Sequence, residues 1–418
     1  MKKNKFDITI IGAGRVGLPL ALSFESRGLS VAIKDINLKI LISIKKKKSP
    51  FKERGMQDLL KKSKIVCFKD KYPISNYYII TVGTPLQQNI ETDLNQITKV
   101  IDGLINSKNI SGNTIILRST IAPNTMRFIS NYINQKTGLV CGKNYFLSYC
   151  PERIIEGDAI KELKNLPQII GVNDKKTWFK SKKLFEYLLP KNKILKGTWA
   201  EAELSKLFSN IYRYINFAIP NYFLMIANHF NVEPFALFDL MNFEYDRNKG
   251  LKSPGLTAGT CLRKDYGMIN ENFPQTDLIL QAHKINEFMP MFIINLLKPE
   301  KITNKRIGIL GYVFKKDTDD TRDSLSPKIY RYLTKLVPKI INISDYNLLK
   351  GFYNDKENQL TFKNLNEKEL IKNSDVIIIA VNHSKYPDLL KKINLKKKII
   401  IDPWRVLSKK LINNYVKG

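Results

Sequence analysis

The sequence predicts an α/β protein with two doubly wound domains, joined by a long central helix and a helical middle segment. Strand-like apolar segments alternate with helical patterns in the first half of the 418 residues and again from about residue 305. A long helical pattern that begins at Thr198 separates these two parts. Alternating strands and helices favour a parallel sheet with helices on both faces. We therefore expect three domains, at residues 1–196, 197–298 and 299–418.

The first strand is predicted at residues 7–11, where Asp-Ile-Thr-Ile-Ile leads into a glycine-rich turn. Apolar residues then recur at helical spacing from Leu18, and Gly28 ends that helix. A second strand begins at Val31 and ends at Asp35, which completes a βαβ unit. Three further strands are expected in this part of the chain, at Tyr77–Val82, Thr114–Leu117 and Tyr145–Ser148.

The middle segment has a helical pattern. Thr198 followed three residues later by Glu201 is a capping box, so a helix should begin there and continue to about Phe230. Pro220 predicts a kink or a break inside that helix. Mostly helical spacing continues to about residue 298.

Strands and helices alternate again in the last part of the chain. The pattern predicts a strand at Arg306–Leu310, a helix at Pro327–Leu336 and a strand at Ile340–Ile343. Two more strands are expected at Val376–Val381 and Lys398–Ile401. The chain therefore contains two similar α/β architectures.

Composition excludes several classes of protein. The four cysteines lack metal-ligand spacing and there are only three histidines, so we expect no metal, no disulfide framework and a cytoplasmic location. No signal peptide is expected, and no apolar stretch reaches the roughly 20 residues that span a bilayer. The net charge of +31 comes from lysines spread along the chain. Such lysines are usually solvated, so neither nucleic acid nor a membrane is an expected partner.

A glycine fingerprint directly follows the first strand and opens a helix. Gly12 permits a tight turn, Gly14 lets backbone N–H groups approach a pyrophosphate, and Gly17 allows close helix packing. Asp35 ends the second strand, where its carboxylate can accept hydrogen bonds from a ribose and would repel a 2′-phosphate. We therefore predict a Rossmann-like domain that binds NAD rather than NADP through Gly12, Gly14, Val16, Gly17 and Asp35. A glycine turn without a ligand is the alternative.

Further motifs follow in a fixed order along the chain. They are Val82-Gly-Thr-Pro85, Arg118-Ser-Thr120, Pro151-Glu152-Arg-Ile-Ile-Glu156-Gly157, the 198–230 helix with Lys206 and Asn210, Thr260-Cys261-Leu-Arg-Lys264-Asp265, and the segment from Gly311 to Ser324. Together they resemble the UDP-glucose/GDP-mannose dehydrogenase family over nearly the whole chain. The resemblance implies an NAD-binding domain, a helical dimerisation domain and a second Rossmann-like domain that binds a UDP-sugar. It also implies a four-electron oxidation that uses two NAD molecules in turn.

Cys261 is the predicted nucleophile. Oxidation of an aldehyde to an acid requires a tetrahedral adduct from which a second hydride can leave. A thiolate supplies that adduct as a thiohemiacetal, hydride loss gives a thioester, and water hydrolyses the thioester. The cationic neighbours Arg263 and Lys264 would favour the thiolate form of Cys261. Cys67 and Cys150 are expected to be packed residues.

Lys206 and Asn210 are four residues apart on the predicted helix and share one face. By resemblance they point into the site, where they would contact substrate and stabilise oxyanions. A solvated surface lysine is the alternative for Lys206. In the last domain, Lys315 and Arg322 resemble the family's contacts with the diphosphate and with sugar or nucleotide oxygens. Alternatively, Arg322 and the neighbouring aspartates hold a domain interface.

Three carboxylates are candidate acids and bases. Glu152 is a candidate base for the hydrolytic water, and Glu156 would orient substrate or neighbouring side chains. Asp265 could hold a water together with Thr120 and take up protons. Surface salt bridges are the alternative for each carboxylate. By resemblance, Thr84 and Thr120 also belong to the cofactor site.

The central helix is expected, by resemblance, to form the core of a homodimer. Its aromatic residues exceed what one helical stripe against a single domain would bury. They are Phe208, Tyr212, Tyr214, Phe217, Tyr222 and Phe223. A wholly intramolecular core helix is the alternative.

The sequence departs from the family pattern at three places. The loop 254–260 has fewer glycines than usual and is one residue short, Arg15 replaces an aromatic residue, and Lys34 precedes Asp35. The sugar therefore stays open between UDP-glucose and a UDP-N-acetylhexosamine, oxidised to a uronate for polysaccharide synthesis. A two-electron dehydrogenase of the hydroxyacid or 6-phosphogluconate type is one alternative function. A non-catalytic nucleotide-sugar or nucleic-acid binder is the other.

Overall fold

The computed structural model divides the chain into two compact units. One unit contains Met1–Ser209 and Lys264–Gln275, and the other contains Asn210–Arg263 and Thr276–Gly418. The boundaries of the three domains stay a prediction. The described residues are 6–87, 91–257, 259–271, 273, 275–297, 299–395 and 397–407, without the side chains of Thr260, Cys261 and Glu300.

The described part of the first unit is built on an eight-stranded sheet. Its strands are β1 (Phe6–Ile11), β2 (Val31–Lys34), β3 (Val66–Phe68), β4 (Ser75–Ile80), β5 (Thr114–Leu117), β6 (Phe146–Tyr149), β7 (Gln168–Gly171) and β8 (Ile194–Gly197). They lie in the order β3-β2-β1-β4-β5-β6-β7-β8. β6 and β7 pair antiparallel, and the other neighbours pair parallel. The strands predicted for this part are confirmed, whereas β3, β7 and β8 were not predicted.

Helices cover both faces of this sheet. They are α1 (Gly17–Glu25), α2 (Leu38–Lys45), α3 (Met56–Lys62), α4 (Asn95–Asn106), α5 (Thr125–Thr137), α6 (Ala159–Glu162) and α7 (Lys175–Phe185). Successive strand residues point to opposite faces. Ile10 accordingly belongs to one buried apolar cluster, which includes Leu18 of α1, and Ile11 to another, which includes Ile97 of α4.

The second unit repeats this plan with six described strands. They are β9 (Arg306–Leu310), β10 (Ile340–Ser344), β11 (Gly351–Asp355), β12 (Leu360–Asn364), β13 (Val376–Ile379) and β14 (Ile399–Ile401). Their order is β11-β12-β10-β9-β13-β14, and only the β11–β12 pair is antiparallel. Ile309 and Leu310 lie in different buried clusters, so this sheet is also covered on both faces.

Seven helices complete the description. They are α8 (Trp199–His229), α9 (Pro234–Asn242), α10 (Thr260–Asn270), α11 (Asp277–Asn295), α12 (Ser326–Thr334), α13 (Glu367–Asn373) and α14 (Tyr386–Lys391). The Glu201 carboxylate accepts hydrogen bonds from the backbone N–H and the hydroxyl of Thr198, at 2.7 and 3.0 Å, so the predicted capping box is present. α8 continues through Pro220, so no break occurs there.

The predicted fold class is therefore confirmed: two doubly wound, Rossmann-like α/β architectures with the long helix α8 and a helical middle segment between them. In the described part of the chain, none of the helices combines the length and the apolar composition that a membrane span requires.

Candidate functional site

The glycine turn after β1 is shaped by close backbone packing. Gly12 has a φ of +101° and donates its N–H to the Lys34 carbonyl at 2.8 Å. A Cβ at Gly17 would lie 1.8 Å from the Gly12 carbonyl oxygen, so only glycine fits where α1 begins. A Cβ at Gly14 would meet nothing within 4 Å, which leaves open space beside its backbone. Val16 immediately precedes α1. This turn fits the pyrophosphate of a dinucleotide at a helix N-terminus.

Asp35 lies beside this turn. Its carboxylate accepts hydrogen bonds from the backbone N–H of Ala13 at 2.5 Å and of Asn37 at 2.7 Å. Each carboxylate oxygen can accept a second bond, so both keep capacity for ribose hydroxyls. Lys34 is buried, with its Nζ 4.5 Å from the centre of the Tyr72 ring, and burial lowers the pKa of its amine. Since neighbouring side chains at a strand end point to opposite faces, the Lys34 amine contacts the Tyr72 ring rather than the face on which Asp35 lies.

A chain of hydrogen bonds joins the ends of β4 and β5 to α10 within the first unit. The Thr84 hydroxyl donates to the Thr120 carbonyl at 2.6 Å, and Lys264 Nζ donates to the Thr84 hydroxyl at 3.0 Å. Asp265 follows Lys264 and is completely buried. The structure therefore brings the predicted site residues Thr84 and Thr120 together with Lys264, next to Asp265 in the sequence, although Thr120 contributes its backbone to these contacts.

Tyr149 belongs to the same region and was missed by the sequence reasoning. It ends β6, pairs with Leu117 of β5 and is completely buried. Burial raises the pKa of its phenol well above the ordinary value, and the negative charges of Asp265 and Glu203 add to the shift. A tyrosine two residues before a Pro-Glu motif was the only available signal.

Glu152 is the partner of a buried cation. Arg118 donates from Nε to Glu152 Oε2 at 2.6 Å and places Nη2 2.5 Å from the same oxygen. The other carboxylate oxygen accepts from the backbone N–H groups of Arg153 and Ile154, at 2.7 and 2.8 Å. Gln168 accepts a further bond from Arg118 at 2.9 Å. Glu152 is thus anchored inside the unit, not in a surface salt bridge.

Glu156 lies in the loop that follows. Its carboxylate is 3.8 Å from the guanidinium of Arg15, the residue that departs from the family pattern. The end of the loop is fixed by Glu53, which accepts from the backbone N–H groups of Gly157 and Ala159, both at 2.9 Å. The substitution at Arg15 therefore supplies a cation for Glu156.

Lys206 and Asn210 lie one turn apart on α8, and both side chains are buried. Lysine is almost never fully buried unless it is paired or functional. Lys206 is therefore not a solvated surface lysine.

Cys67, Cys141 and Cys150 are poor nucleophiles, because little of each thiol is in the thiolate form. Burial raises the pKa of the Cys150 thiol to about 12 and of the Cys141 thiol to about 11, and it also raises the pKa of Cys67. Cys261 lies in the first turn of α10, and its side chain lies outside the described part of the structure. Among the described residues, no cluster of three or more His, Cys, Asp or Glu side chains is arranged to hold a metal ion.

Arg263 is held by two carboxylates of the second unit. Its guanidinium lies 2.7 Å from Glu287 and 3.0 Å from Asp323. A charge balanced in this way gives less support to a neighbouring thiolate than the sequence suggested. Arg263 instead fastens the first turn of α10 to α11 and to the loop after β9.

The loop before Cys261 is fixed at its remaining glycines. The Gly255 N–H donates to Asn221 Oδ1 at 2.8 Å, and a Cβ at Gly255 would lie 2.3 Å from the Trp404 ring. A Cβ at Gly259 would lie 2.7 Å from the Phe314 ring. Aromatic side chains of the second unit thus leave no room for a Cβ at Gly255 or at Gly259.

Lys315 and Arg322 lie in the segment that follows β9. Lys315 is half-buried, and its carbonyl accepts from the Thr318 hydroxyl at 2.9 Å. The Arg322 guanidinium donates to both carboxylate oxygens of Asp320, at 3.0 and 2.6 Å. This pairing is local to the segment, and both roles considered for Arg322, contact with substrate and a domain interface, stay predictions.

Three domains of one protein family match the sequence in order. The NAD binding domain of the UDP-glucose/GDP-mannose dehydrogenase family matches residues 6–189, the central domain residues 200–288 and the UDP binding domain residues 308–409. These matches cover most of the chain.

Individual proteins resemble the chain over almost its full length. UDP-N-acetyl-D-mannosamine dehydrogenase of Methanocaldococcus jannaschii is 29% identical, over 97% of this chain and 93% of its own. UDP-N-acetyl-D-glucosamine 6-dehydrogenase of Salmonella typhi is 24% identical, over 92% of both chains. The solved structure of UDP-D-ManNAc dehydrogenase from Pyrococcus horikoshii superposes with a TM-score of 0.86 at 26% identity, over 99% of both chains. The chain belongs to the UDP-glucose/GDP-mannose dehydrogenase family and carries its NAD-binding domain.

Proposed function

We propose that the protein oxidises the C6 alcohol of a UDP-sugar to the carboxylate through a covalent intermediate on Cys261, in the cytoplasm, as a supply of polysaccharide precursors. The observation that carries the proposal is the presence, in one chain, of the NAD binding and UDP binding domains of this family. Bound NAD would accept one hydride in each of two successive oxidations. The chain itself would bind the sugar, hold the nucleophile and move protons.

Five of the predicted residues carry the chemistry of this proposal. The Cys261 thiolate attacks the aldehyde carbon, and the thiohemiacetal collapses to a thioester when the second hydride leaves. Lys206 and Asn210 stabilise the oxyanions, and the burial of both supports this role because fixed donors act most strongly away from water. Asp265 takes up protons in a buried setting, and Glu152 is the candidate base for hydrolysis.

We propose a UDP-N-acetylhexosamine as the first sugar to test. The relatives named for UDP-N-acetyl-D-mannosamine and UDP-N-acetyl-D-glucosamine match over 92% or more of this chain. The Pro-Glu-Arg motif at 151–153, followed by Leu166-Pro-Gln-Ile-Ile-Gly171, also resembles those branches, whereas the Cys261-x-x-Lys264-Asp265 run resembles the UDP-glucose branch. UDP-glucose is the second candidate.

The stoichiometry of NADH release tests the proposed function. With UDP-N-acetylmannosamine, UDP-N-acetylglucosamine or UDP-glucose as limiting substrate, we expect two NADH per sugar, measured at 340 nm. GDP-mannose is the control, and an enzyme specific for UDP-sugars should give no NADH with it. One NADH per sugar would show a two-electron dehydrogenase, and none with any sugar would show a binding protein.

We also propose a homodimer built on α8. Four exposed side chains recur along one face of the helix at spacings of seven, three and four residues: Tyr212, Ile219, Tyr222 and Ile226. Tyr214, in contrast, is buried within its own unit, with its hydroxyl 3.1 Å from His283 Nδ1. The exposed stripe is therefore the part of the helix that is left to contact a second copy.

Sedimentation tests the dimer. At micromolar concentration the wild type should sediment as a dimer, and Tyr222→Glu combined with Ile226→Glu should give a monomer because charges are costly in an apolar interface. Phe352→Glu is the matched control, since Phe352 is 85% exposed on the edge strand β11 and should leave the dimer intact. A monomeric wild type would refute the proposal.

A further inference from the structure

The loop 311–317 leaves β9 and carries Lys315, the cation predicted to bind the UDP diphosphate. Its first residues are tied to Asp345, which directly follows β10. The backbone N–H groups of Tyr312 and Val313 donate to Asp345 Oδ2, at 2.8 and 3.1 Å. The first unit contains an equivalent hydrogen bond, which the backbone N–H of Ala13 donates to the carboxylate of Asp35 after β2. Asp345 differs from Asp35 in being completely buried.

The other end of this loop is tied to His383. The backbone N–H of Asp317 donates to His383 Nδ1 at 3.0 Å, and His383 Nε2 lies 3.1 Å from Asp345 Oδ2. Because Nδ1 accepts a hydrogen bond, the hydrogen of the neutral ring is on Nε2, which donates to Asp345. One imidazole therefore connects the start of the loop, through Asp345, with its end.

The ring of His383 is held firmly in this position. It is buried, with the Tyr346 and Tyr386 ring centroids at 4.8 and 5.1 Å. Asp317 is anchored further by hydrogen bonds from the Ser384 and Tyr346 hydroxyls. Burial alone would raise the pKa of Asp317, but these bonds outweigh it and lower the pKa to about 2, so the carboxylate stays an acceptor.

We propose that His383 is a positioning residue for the nucleotide site: it fastens both ends of the loop 311–317 and so fixes the backbone on either side of Lys315. A cation on a preorganised loop loses less conformational freedom when the diphosphate binds. The inference rests on the proposed function, because a UDP-sugar substrate is what gives Lys315 its predicted role as a contact of the diphosphate. It extends that function by naming the residue that holds the diphosphate-binding loop in place.

Calorimetric titration of the full chain with UDP tests the inference. His383→Phe keeps a buried ring but removes the hydrogen bonds that the imidazole makes with Asp317, Asp345 and Asn347, and we expect the Kd for UDP to rise roughly tenfold or more. The KM for the UDP-sugar should rise by the same factor, whereas kcat and the Kd for NAD should stay close to the wild-type values. A variant that only damaged the fold would instead weaken NAD binding and lower kcat as well.

Two conservative variants separate the two bonds. His383→Asn can place an amide oxygen near the Nδ1 position and keep the acceptor for Asp317. His383→Gln can place an amide nitrogen near the Nε2 position and keep the donor to Asp345. Each should bind UDP between the wild type and His383→Phe, and Tyr386→Phe, which touches the ring without bonding to the loop, should match the wild type.

The outcomes distinguish this inference from the proposed function. Wild-type UDP affinity in a folded His383→Phe variant would overturn it. Should that variant fail to fold, wild-type affinity in both His383→Asn and His383→Gln would overturn it equally. A wild-type chain that does not bind UDP would refute the proposed function and this inference with it.

Discussion

Cys261→Ser is expected to lower net turnover by several orders of magnitude while substrate and NAD still bind. The two side chains have similar shapes, but a hydroxyl has a far higher pKa than a thiol, so little alkoxide forms at neutral pH. The first hydride transfer needs no thiol, and its aldehyde product would have no route forward. NADH release should stop, and mass spectrometry of the protein should detect an aldehyde-level species or an ester at residue 261.

Cys67→Ser is the matched control, because Cys67 lies on the β3 strand at the edge of the first sheet and burial raises the pKa of its thiol. Turnover of this variant should stay near the wild-type value. In the wild type, substrate with NAD should protect Cys261 from alkylation and leave the reactivity of Cys67 unchanged. A Cys261→Ser enzyme that releases two NADH per sugar at the wild-type rate would show that the nucleophile is another residue.

Arg118→Met should destabilise the protein by about 3–5 kcal/mol, because it removes the cation that is hydrogen-bonded to the buried Glu152 carboxylate. Methionine keeps much of the volume of arginine, so loss of packing contributes little. Urea unfolding followed by circular dichroism and by NAD binding would measure the loss of free energy in the first unit. Removal of the orphaned charge in Arg118→Met combined with Glu152→Gln should recover part of the stability.

Arg54→Met is the control for a surface ion pair. Arg54 lies 2.5 Å from Asp158, but its side chain is 78% exposed. Exposed pairs contribute about 0–1 kcal/mol, so the unfolding free energy should change little. Equal effects of Arg54→Met and Arg118→Met would mean that the Arg118–Glu152 pair is not a buried anchor.

The fold could be predicted where strands are buried on both faces. Such strands in parallel sheets consist of continuous apolar runs, which stand out from the lysine-rich surroundings. β5 and β9 have the predicted bounds, Thr114–Leu117 and Arg306–Leu310, and all four residues of β5 are buried. The glycine turn could also be predicted from the sequence, because local backbone packing sets the spacing of its glycines.

The strands that escaped prediction depend on their neighbours. β11 and β12 alternate between exposed residues and partly or fully buried ones, and several of these residues are polar, so their apolar signal is weak. Phe352 even points into solvent. These strands form because β12 pairs with β10 and β11 pairs with β12 at the sheet edge, and no local sequence pattern specifies those partners.

The candidate site was predictable only as a set of residue types. Motif order supplied Glu152, Lys206 and Asp265, but not their partners. Arg118 is 34 residues from Glu152, and His383 is 38 residues from Asp345. Such contacts arise from the strand order of the sheets, so a single sequence does not reveal them.

The two acids that follow β2 and β10 have a consequence for competition between the two nucleotides. Asp35 remains open to a ribose, whereas the oxygens of Asp345 are occupied by backbone N–H groups and His383 within a closed core. The second unit therefore has the frame of a dinucleotide-binding fold without an accessible ribose acceptor at the usual position. In the second unit, the buried Asp345 carboxylate would accept no hydrogen bond from the ribose of excess cofactor. We therefore expect the two similar α/β architectures to differ in their affinity for the cofactor, because only Asp35 is open to a ribose.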